Sequence, residues 1–398
     1  MLESIYVGMT GLLGYSRGLR VIANNTANMN TPGFKSSSLQ FTDMFYTGGN
    51  LSGGNAGRGE NQLGFGLNTA GTTLSFKQGE LRQTSNDLDM AVDGQGLFVL
   101  RNADGRTTYT RAGQFKFDTD GTLVSRTNGE QVMGTTEGGD LMPISLAGHM
   151  MSQGKPTSRL KFSGLLNAAP VDNASQSIEG ITVIDSLGQS HALIVRFSGI
   201  TREGTRTTVK IELMDASTVL ATGQLAFVDG KPAPDSSTLS MTYAPAGRPP
   251  SQLTLEFGPD VSFLSGSTTL KMTSQDGLAP GTLSNAVFDE NGRLQMSYSN
   301  GQKIQGASLA LARFDSPDAV TALGDNQFDI VNRDAWHFGR AGDDAFGKVV
   351  SRRVEISNVD LSQEFSDLVI MQRGYQASSQ VISTANEMLQ QLFSLKGK

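Results

Sequence analysis

Residues 23–35 read ANNTANMNTPGFK. Four asparagines, Asn24, Asn25, Asn28 and Asn30, close a segment otherwise patterned as an amphipathic helix. Asparagine side chains compete for the backbone's own hydrogen-bonding groups, so a helix that ends in four of them is weak by itself. Their amides suit a place where water is scarce and other chains need donors and acceptors. Pro32 disfavours helix at Thr31, and Gly33 lets the chain turn outward. This stretch therefore marks where a terminal helix stops and another kind of structure begins.

Upstream, Leu2, Ile5, Met9, Leu12, Ser16, Leu19, Ala23 and Thr26 follow alternating spacings of three and four. At the other terminus Leu361, Leu368, Met371, Tyr375, Ile382, Ala385, Leu389 and Leu392 fit the same template, with Glu364 and Ser378 as polar members. Asp360 is placed to cap this second helix, with Gln363 at the capping-box position. The two matched seams predict terminal helices that pair in a coiled-coil-like layer. Gly8, Gly11, Gly14 and Gly18 form a separate stripe on the first helix. Each costs about 1 kcal/mol relative to alanine in a helix interior, which opposes that helix in isolation by about 4 kcal/mol. Ordering on assembly with other copies is one outcome; an intramolecular helical hairpin is the plainer one.

The middle of the chain is patterned as β structure. The segment GGNLSGGNAGRGENQLGFG (48–66) is glycine-rich and connector-like. Beyond it, β-forming runs alternate with Asp-Gly and Asn-Gly turns at 104–105, 120–121 and 128–129. FDTDGTLVSRTNGE (117–130) is echoed by FDENGRLQMSYSNGQ (288–302), as though one β domain were split by an insertion. The expected class is mainly β with long terminal α-helices in a nested, multi-domain chain. Residues 1–30 and 358–398 form the helical layer, 31–70 a connector, 71–144 with 285–357 a proximal β domain, and 145–284 an inserted distal β domain. Both β domains lie outside the helical layer.

The 398 residues carry a formal net charge of -6 and no cysteine. That excludes a disulfide framework and a cysteine metal site, and argues against a basic nucleic-acid surface. No apolar run is long enough to insert in a membrane. The first twenty residues lack a basic leader, an unbroken apolar core and a cleavage site, so a chain that leaves the cytosol does so by a route that reads something other than a cleaved signal peptide.

Catalytic chemistry is not apparent. The three histidines, His149, His191 and His337, have no metal-ligand spacing. Gly94 and Gly96 begin a phosphate-loop pattern that is not completed. Asp87, Asp89 and Asp93, and Asp118 with Asp120, are better explained as turn formers than as cation ligands. The expectation is a non-enzyme with no cofactor and no metal.

The terminal stretches carry a resemblance. ANNTANMNTPGFK is similar to the N-terminal signature of the bacterial flagellar rod and hook proteins, and EISNVDLSQEFSDLVIMQRGYQASSQVISTANEMLQQL (355–392) resembles that family's C-terminal signature. DLDMAVDGQGLFVL followed by YTRAGQFKFDTDGTLV resembles its β-domain core. The inserted segment and the overall length suit hook members better than distal rod members. The resemblance implies an axial subunit of the flagellar hook, outside the cell, that polymerises helically into a curved tube joining rod to filament. It implies self-association and contacts with rod, hook cap, hook–filament junction and export apparatus. It also matches Phe41 and Phe45 to an F-x-x-x-F export motif. Together with the seams, it points to Leu2, Ile5, Met9, Leu12 and Leu19 packing with Leu368, Met371, Tyr375, Ile382 and Leu389 in an inner tube. A secreted β-rich adhesin or carbohydrate-binding protein is the rival from another class.

Overall fold

The computed structural model describes residues 2–44, 46–48, 62–136, 138–169, 174–244, 249–343 and 345–396. The chain is mainly β with a long helix at each terminus: α1 spans Leu2–Ala27 and α2 spans Leu361–Lys396. The two helices pack on each other, as the matched periodicities predict. Two compact units divide the chain. One comprises Met1–Ala147, Val287–Gln295 and Gln305–Lys398, and the other Gly148–Ala286 and Met296–Ile304.

The first unit holds both helices. Asp360 caps α2: its Oδ1 accepts from the backbone N–H of Ser362 at 2.8 Å and of Gln363 at 3.3 Å. The reciprocal half of the capping box is not formed, because Gln363 Nε2 instead donates to the Asp367 carboxylate at 3.1 Å. An i, i+4 partner on the same helix face outcompetes the cap.

The stretch expected to be a connector contains ordered structure. Strand Ser37–Asp43 pairs antiparallel with Leu67–Leu74, from Ser37 against Leu74 to Asp43 against Leu67, and this two-stranded ribbon packs on α1. Such a ribbon is marginal alone, so its stability comes from that helix. Two further strand pairs fasten the chain just ahead of α2. Arg353–Glu355 pairs with Leu81–Gln83, and Lys348–Ser351 with Met90–Asp93.

The unit's main sheet runs through Gln131–Thr135, Leu97–Arg101, Thr107–Thr110, Gln327–Ile330 and Val320–Gly324 in spatial order. Its apolar face includes Leu97, Val99, Tyr109, Met133, Phe328 and Trp336. Tyr109 lies 4.4 Å from the Trp336 ring centroid, and the indole N–H donates to Ala319 O at 3.1 Å. The tryptophan therefore has an apolar body in the core and a satisfied polar edge.

The second unit has a five-stranded antiparallel meander from Gln176–Ile184 to Lys231–Pro232, and a four-stranded sheet ordered Thr238–Tyr243, Ser251–Leu264, Arg159–Asn167, Lys271–Gln275. Alternate residues of both sheets, among them Val195, Phe197, Ile211, Leu255 and Phe257, enter one core. This is the period-two burial of a β-sandwich.

One turn recurs four times. In NADGR, DTDGT, DSLGQ and DENGR, beginning at Asn102, Asp118, Asp185 and Asp289, the side-chain oxygen of the first residue accepts from the backbone N–H four residues on, at 2.7–2.9 Å. The glycine N–H returns to that first residue's carbonyl at 2.9–3.1 Å. This is the Asx-turn chemistry expected of aspartate and asparagine before glycine.

Candidate assembly interface

Because α1 and α2 run antiparallel, their facing residues can be followed from the free ends to the β structure. A Cβ at Gly8 would come within 2.7 Å of Ile382, one at Gly11 within 2.6 Å of Ser378 Oγ, and one at Gly18 within 2.9 Å of Met371 Sδ. The approach is mutual, since a Cβ at Gly374 would meet the Tyr15 ring at 2.5 Å. Gly14 turns to the ribbon instead, where a Cβ would lie 2.4 Å from Leu67. Ile22 and Asn25 continue the buried stripe.

The face of α1 turned to α2 within one chain is therefore Gly8, Gly11, Tyr15, Gly18, Ile22 and Asn25. It is displaced by one residue, about 100°, from the leucine seam the sequence suggests. Two helices approach closely only where no Cβ keeps them apart, so glycine takes the contact. Leu2 and Met9 are exposed (77% and 49%), while Ile5, Leu12 and Leu19 are half-buried. On α2 the expected seam is nearer the mark. Met371 and Ile382 face α1, and Leu368 and Leu389 are half-buried, but Gly374 takes the place expected for Tyr375, which is 41% exposed. Phe365, Ile370, Met388 and Phe393 add exposed apolar surface to α2, between 51% and 73% accessible.

The asparagines divide by role. Asn25 is 2% exposed and its amide is fully used inside the chain. Nδ2 donates to Ser37 O and Glu364 Oε1, both at 2.8 Å, and Oδ1 accepts from Ser37 N at 3.1 Å. It ties α1 to the ribbon and to α2. Asn28 Nδ2 donates to Asn24 O at 2.9 Å and its Oδ1 accepts from Thr31, finishing the helix locally. Asn25 and Asn28 thus bond within the chain, while Asn24 and Asn30 are exposed. Burial raises the Glu364 carboxyl above its usual range despite the bond from Asn25, and the nearby Asp367 and Asp360 charges add to the rise.

Below the helices lies a buried ionic cluster with no counterpart in the sequence reading. Lys35 Nζ reaches Glu355 Oε1 at 2.6 Å and Lys77 O at 2.7 Å. Arg111 Nε reaches Glu355 Oε2 at 2.5 Å, and its other nitrogens donate to the carbonyls of Val92, Gly94 and Gly96. Gly79 N adds a bond to Glu355 Oε1 at 2.9 Å. Burial pushes the Glu355 carboxyl up, but Arg111 and Lys35 outweigh it and hold it below the usual carboxylate range. Glu355 thereby joins the segment after α1, the main sheet and the segment before α2. The two glycines of the incomplete phosphate-loop pattern serve this cluster through their carbonyls.

The remaining candidates are structural. Asp89 pairs with Arg126, Asp87 with Arg352, and Asp93 accepts from Gln78. His191 sits 2.8 Å from Asp185 and His337 2.9 Å from Asp315. Among the described residues there is no group of three or more potential metal ligands, and no helix is long and apolar enough to cross a membrane. Phe41 lies on the ribbon, its ring 5.9 Å from that of Tyr15; Phe45 lies outside the described residues.

Three family descriptions match the chain. "Flagella basal body rod protein" covers residues 5–35, "Flagellar hook protein FlgE/F/G D1 domain" covers 91–153, and "Flagellar basal body rod FlgEFG protein C-terminal" covers 350–395. The flagellar hook protein FlgE of Borreliella burgdorferi is 28% identical over 445 residues, spanning 100% of both chains. That of Salmonella typhimurium is 29% identical over 411 residues, spanning 98% of each. A crystal structure of Helicobacter pylori flagellar hook protein FlgE2 overlays with a TM-score of 0.49 at 15% identity, covering 69% of this chain and 100% of that one.

Proposed function

We propose that this chain is a member of the bacterial flagellar rod and hook protein family and the structural subunit of the hook. It polymerises helically into a flexible curved tube that carries motor torque from rod to filament. The observation that supports the hook over the distal rod is end-to-end similarity to hook proteins, which extends through the inserted β-sandwich. The chain's work is mechanical, with no catalysis.

The helix pair explains how one subunit can be complete and still seek neighbours. Glycine consumes the α1–α2 contact, which leaves Leu2, Met9, Phe365, Ile370 and Phe393 turned outward. Side chains of that size, concentrated on one element pair, form an association surface. Repeated head-to-tail contacts between identical subunits give an open helix when the rotation does not close. The leucines of α1, with Leu368, Tyr375 and Leu389, meet other copies in an inner tube. Rod, hook cap and hook–filament junction proteins cover its ends. Export through the flagellar apparatus delivers the chain outside the cell, with Phe41 and Phe45 offered to the export gate.

Electron microscopy of the purified protein at increasing concentration tests this. Tubes or short curved filaments are expected, and deleting residues 2–27 abolishes them while the β-sandwich stays folded. A chain that remains monomeric at every concentration overturns the polymer. Antibody labelling confined to the rod of isolated hook–basal bodies overturns the choice of hook.

A further inference from the structure

The ribbon of Ser37–Asp43 and Leu67–Leu74 has a cleft on each side, and the two clefts carry opposite charge. One, of about 550 Å³, lies against α1 and is lined by Arg17 and Arg20 with ribbon residues Leu39 and Thr69. The other, of about 630 Å³, runs between Thr72–Leu74 of the ribbon and the strand Val320–Gly324, with Asp318 and Asp325 in its lining; Lys35 also lines it, but its charge is buried against Glu355, which leaves the aspartates as the exposed charges. The clefts share Asn24, Ser37 and Thr72 as a common wall.

Among the described residues, none of these exposed charges is engaged in an ion pair. Arg20, Asp318 and Asp325 are exposed and form no ion pair among the described residues; Arg17 bonds only the neutral Thr69 hydroxyl. The acidic side also carries an open strand edge. Among the described residues, Val320–Gly324 ends the main sheet and pairs on one side only, with Gln327–Ile330. Residues 321–324 are exposed, including Leu323 at 44%. An uncovered edge bearing an apolar side chain is a site for association.

We propose that the acidic cleft and its edge strand dock on the Arg17/Arg20 flank of the ribbon in a second copy of this chain. The proposal rests on the polymer reading and assigns one of its contacts. Charge fixes the geometry. A two-fold contact through either cleft would set arginine against arginine or aspartate against aspartate, whereas a head-to-tail contact sets each flank against its opposite. The ribbon is thereby a polarity device: it favours open, unidirectional growth over closed dimers. Because the charges are exposed, their effect falls on the rate and register of association more than on final stability.

The test uses full-length chains and follows elongation by light scattering, with microscopy of the product. Arg20→Glu and Asp318→Arg are made singly; Asp325 is avoided because its φ of 50° would strain a long side chain. Each variant alone elongates slower than the parent by about fivefold or more. Mixed in equal amounts they recover the parental rate. The reversed charge at position 20 of one copy then meets the reversed charge at position 318 of the next, and the unchanged Arg20 and Asp318 meet in turn. The two changes combined in one chain recover it as well. Single variants that elongate at the parental rate overturn the contact. Slow single variants that mixing does not rescue also overturn it: rescue by combination alone places the two charges against each other within one chain, and rescue by neither means that they do not meet. A parent that forms no polymer at all overturns the polymer reading instead.

Discussion

Asn25 at the end of α1 and Glu364 in the first turn of α2 are joined by a 2.8 Å hydrogen bond across 339 residues of sequence. The same amide group clamps both backbone groups of Ser37. Replacing Asn25 with leucine strands three half-buried polar groups, at a cost of about 3 kcal/mol. Asn28→Leu loses only bonds at the exposed helix end and costs under about 1 kcal/mol. Hydrogen exchange at Ser37–Asp43 checks this: about 100-fold faster exchange is expected for the Asn25 variant and little change for Asn28. Equal protection in the two would show that the ribbon does not depend on the clamp.

Glycine-to-alanine changes normally stabilise a helix by about 1 kcal/mol. In this pair the sign depends on the neighbour. At Gly374 the added methyl meets three atoms of the Tyr15 ring at 2.5–2.8 Å, so Gly374→Ala forces the helices apart and destabilises by about 2 kcal/mol. At Gly18 the obstacle is the flexible Met371 thioether at 2.9 Å, which can move, and Gly18→Ala is close to neutral. Amide exchange along α1 should separate the two variants by about tenfold or more.

These two cases show what the sequence discloses and what it hides. The helices, the Asp360 cap and the turns announce themselves, because spacing and local hydrogen-bonding chemistry determine them within a few residues. The contact face of α1 does not. Apolar periodicity ranks leucine above glycine, yet closeness of approach selects glycine, and the stripe at Gly8, Gly11 and Gly18 is itself the signal. The Lys35–Arg111–Glu355 cluster leaves no local pattern, since Lys35 and Glu355 are 320 residues apart and meet only after the strands flanking them have paired.

That cluster gives the first unit a defined response to acid. Arg111 and Lys35 hold the folded Glu355 carboxyl below its unfolded value, near 4.3. Its contribution is therefore complete above about pH 4.3 and is lost as pH falls through the depressed folded value. Glu364 has the opposite sign. Its folded pKa is raised, so its contribution is complete below the unfolded value and is lost as pH rises through the folded one. Glu355→Gln leaves two buried cations under-compensated and lowers stability at pH 7 by about 3 kcal/mol, while flattening the acid limb of the stability profile. Glu364→Gln keeps an acceptor for Asn25 and raises the melting temperature only as pH rises above the unfolded carboxyl value, near 4.3. Thermal melts between pH 3 and 8 distinguish the two, and parallel profiles for both variants would contradict the assigned directions.

The repeated turn makes the last prediction, and it concerns the aspartates that superficially resemble cation ligands. Asp118 Oδ1 accepts from Asp120 N at 3.0 Å and Thr122 N at 2.7 Å, and Asp289 Oδ1 repeats this with Asn291 N at 3.0 Å and Arg293 N at 2.9 Å. Two backbone donors already satisfy each oxygen, and an asparagine oxygen would serve as well, as it does at Asn102. Asp118→Asn and Asp289→Asn should therefore leave stability within about 0.5 kcal/mol of the parent, whereas either alanine change costs about 1–2 kcal/mol by releasing both donors. Millimolar calcium or chelator should shift none of these urea midpoints. A calcium-dependent midpoint in the parent that disappears in Asp118→Asn would show that charge is needed at the turn and that the hydrogen-bonding account is incomplete.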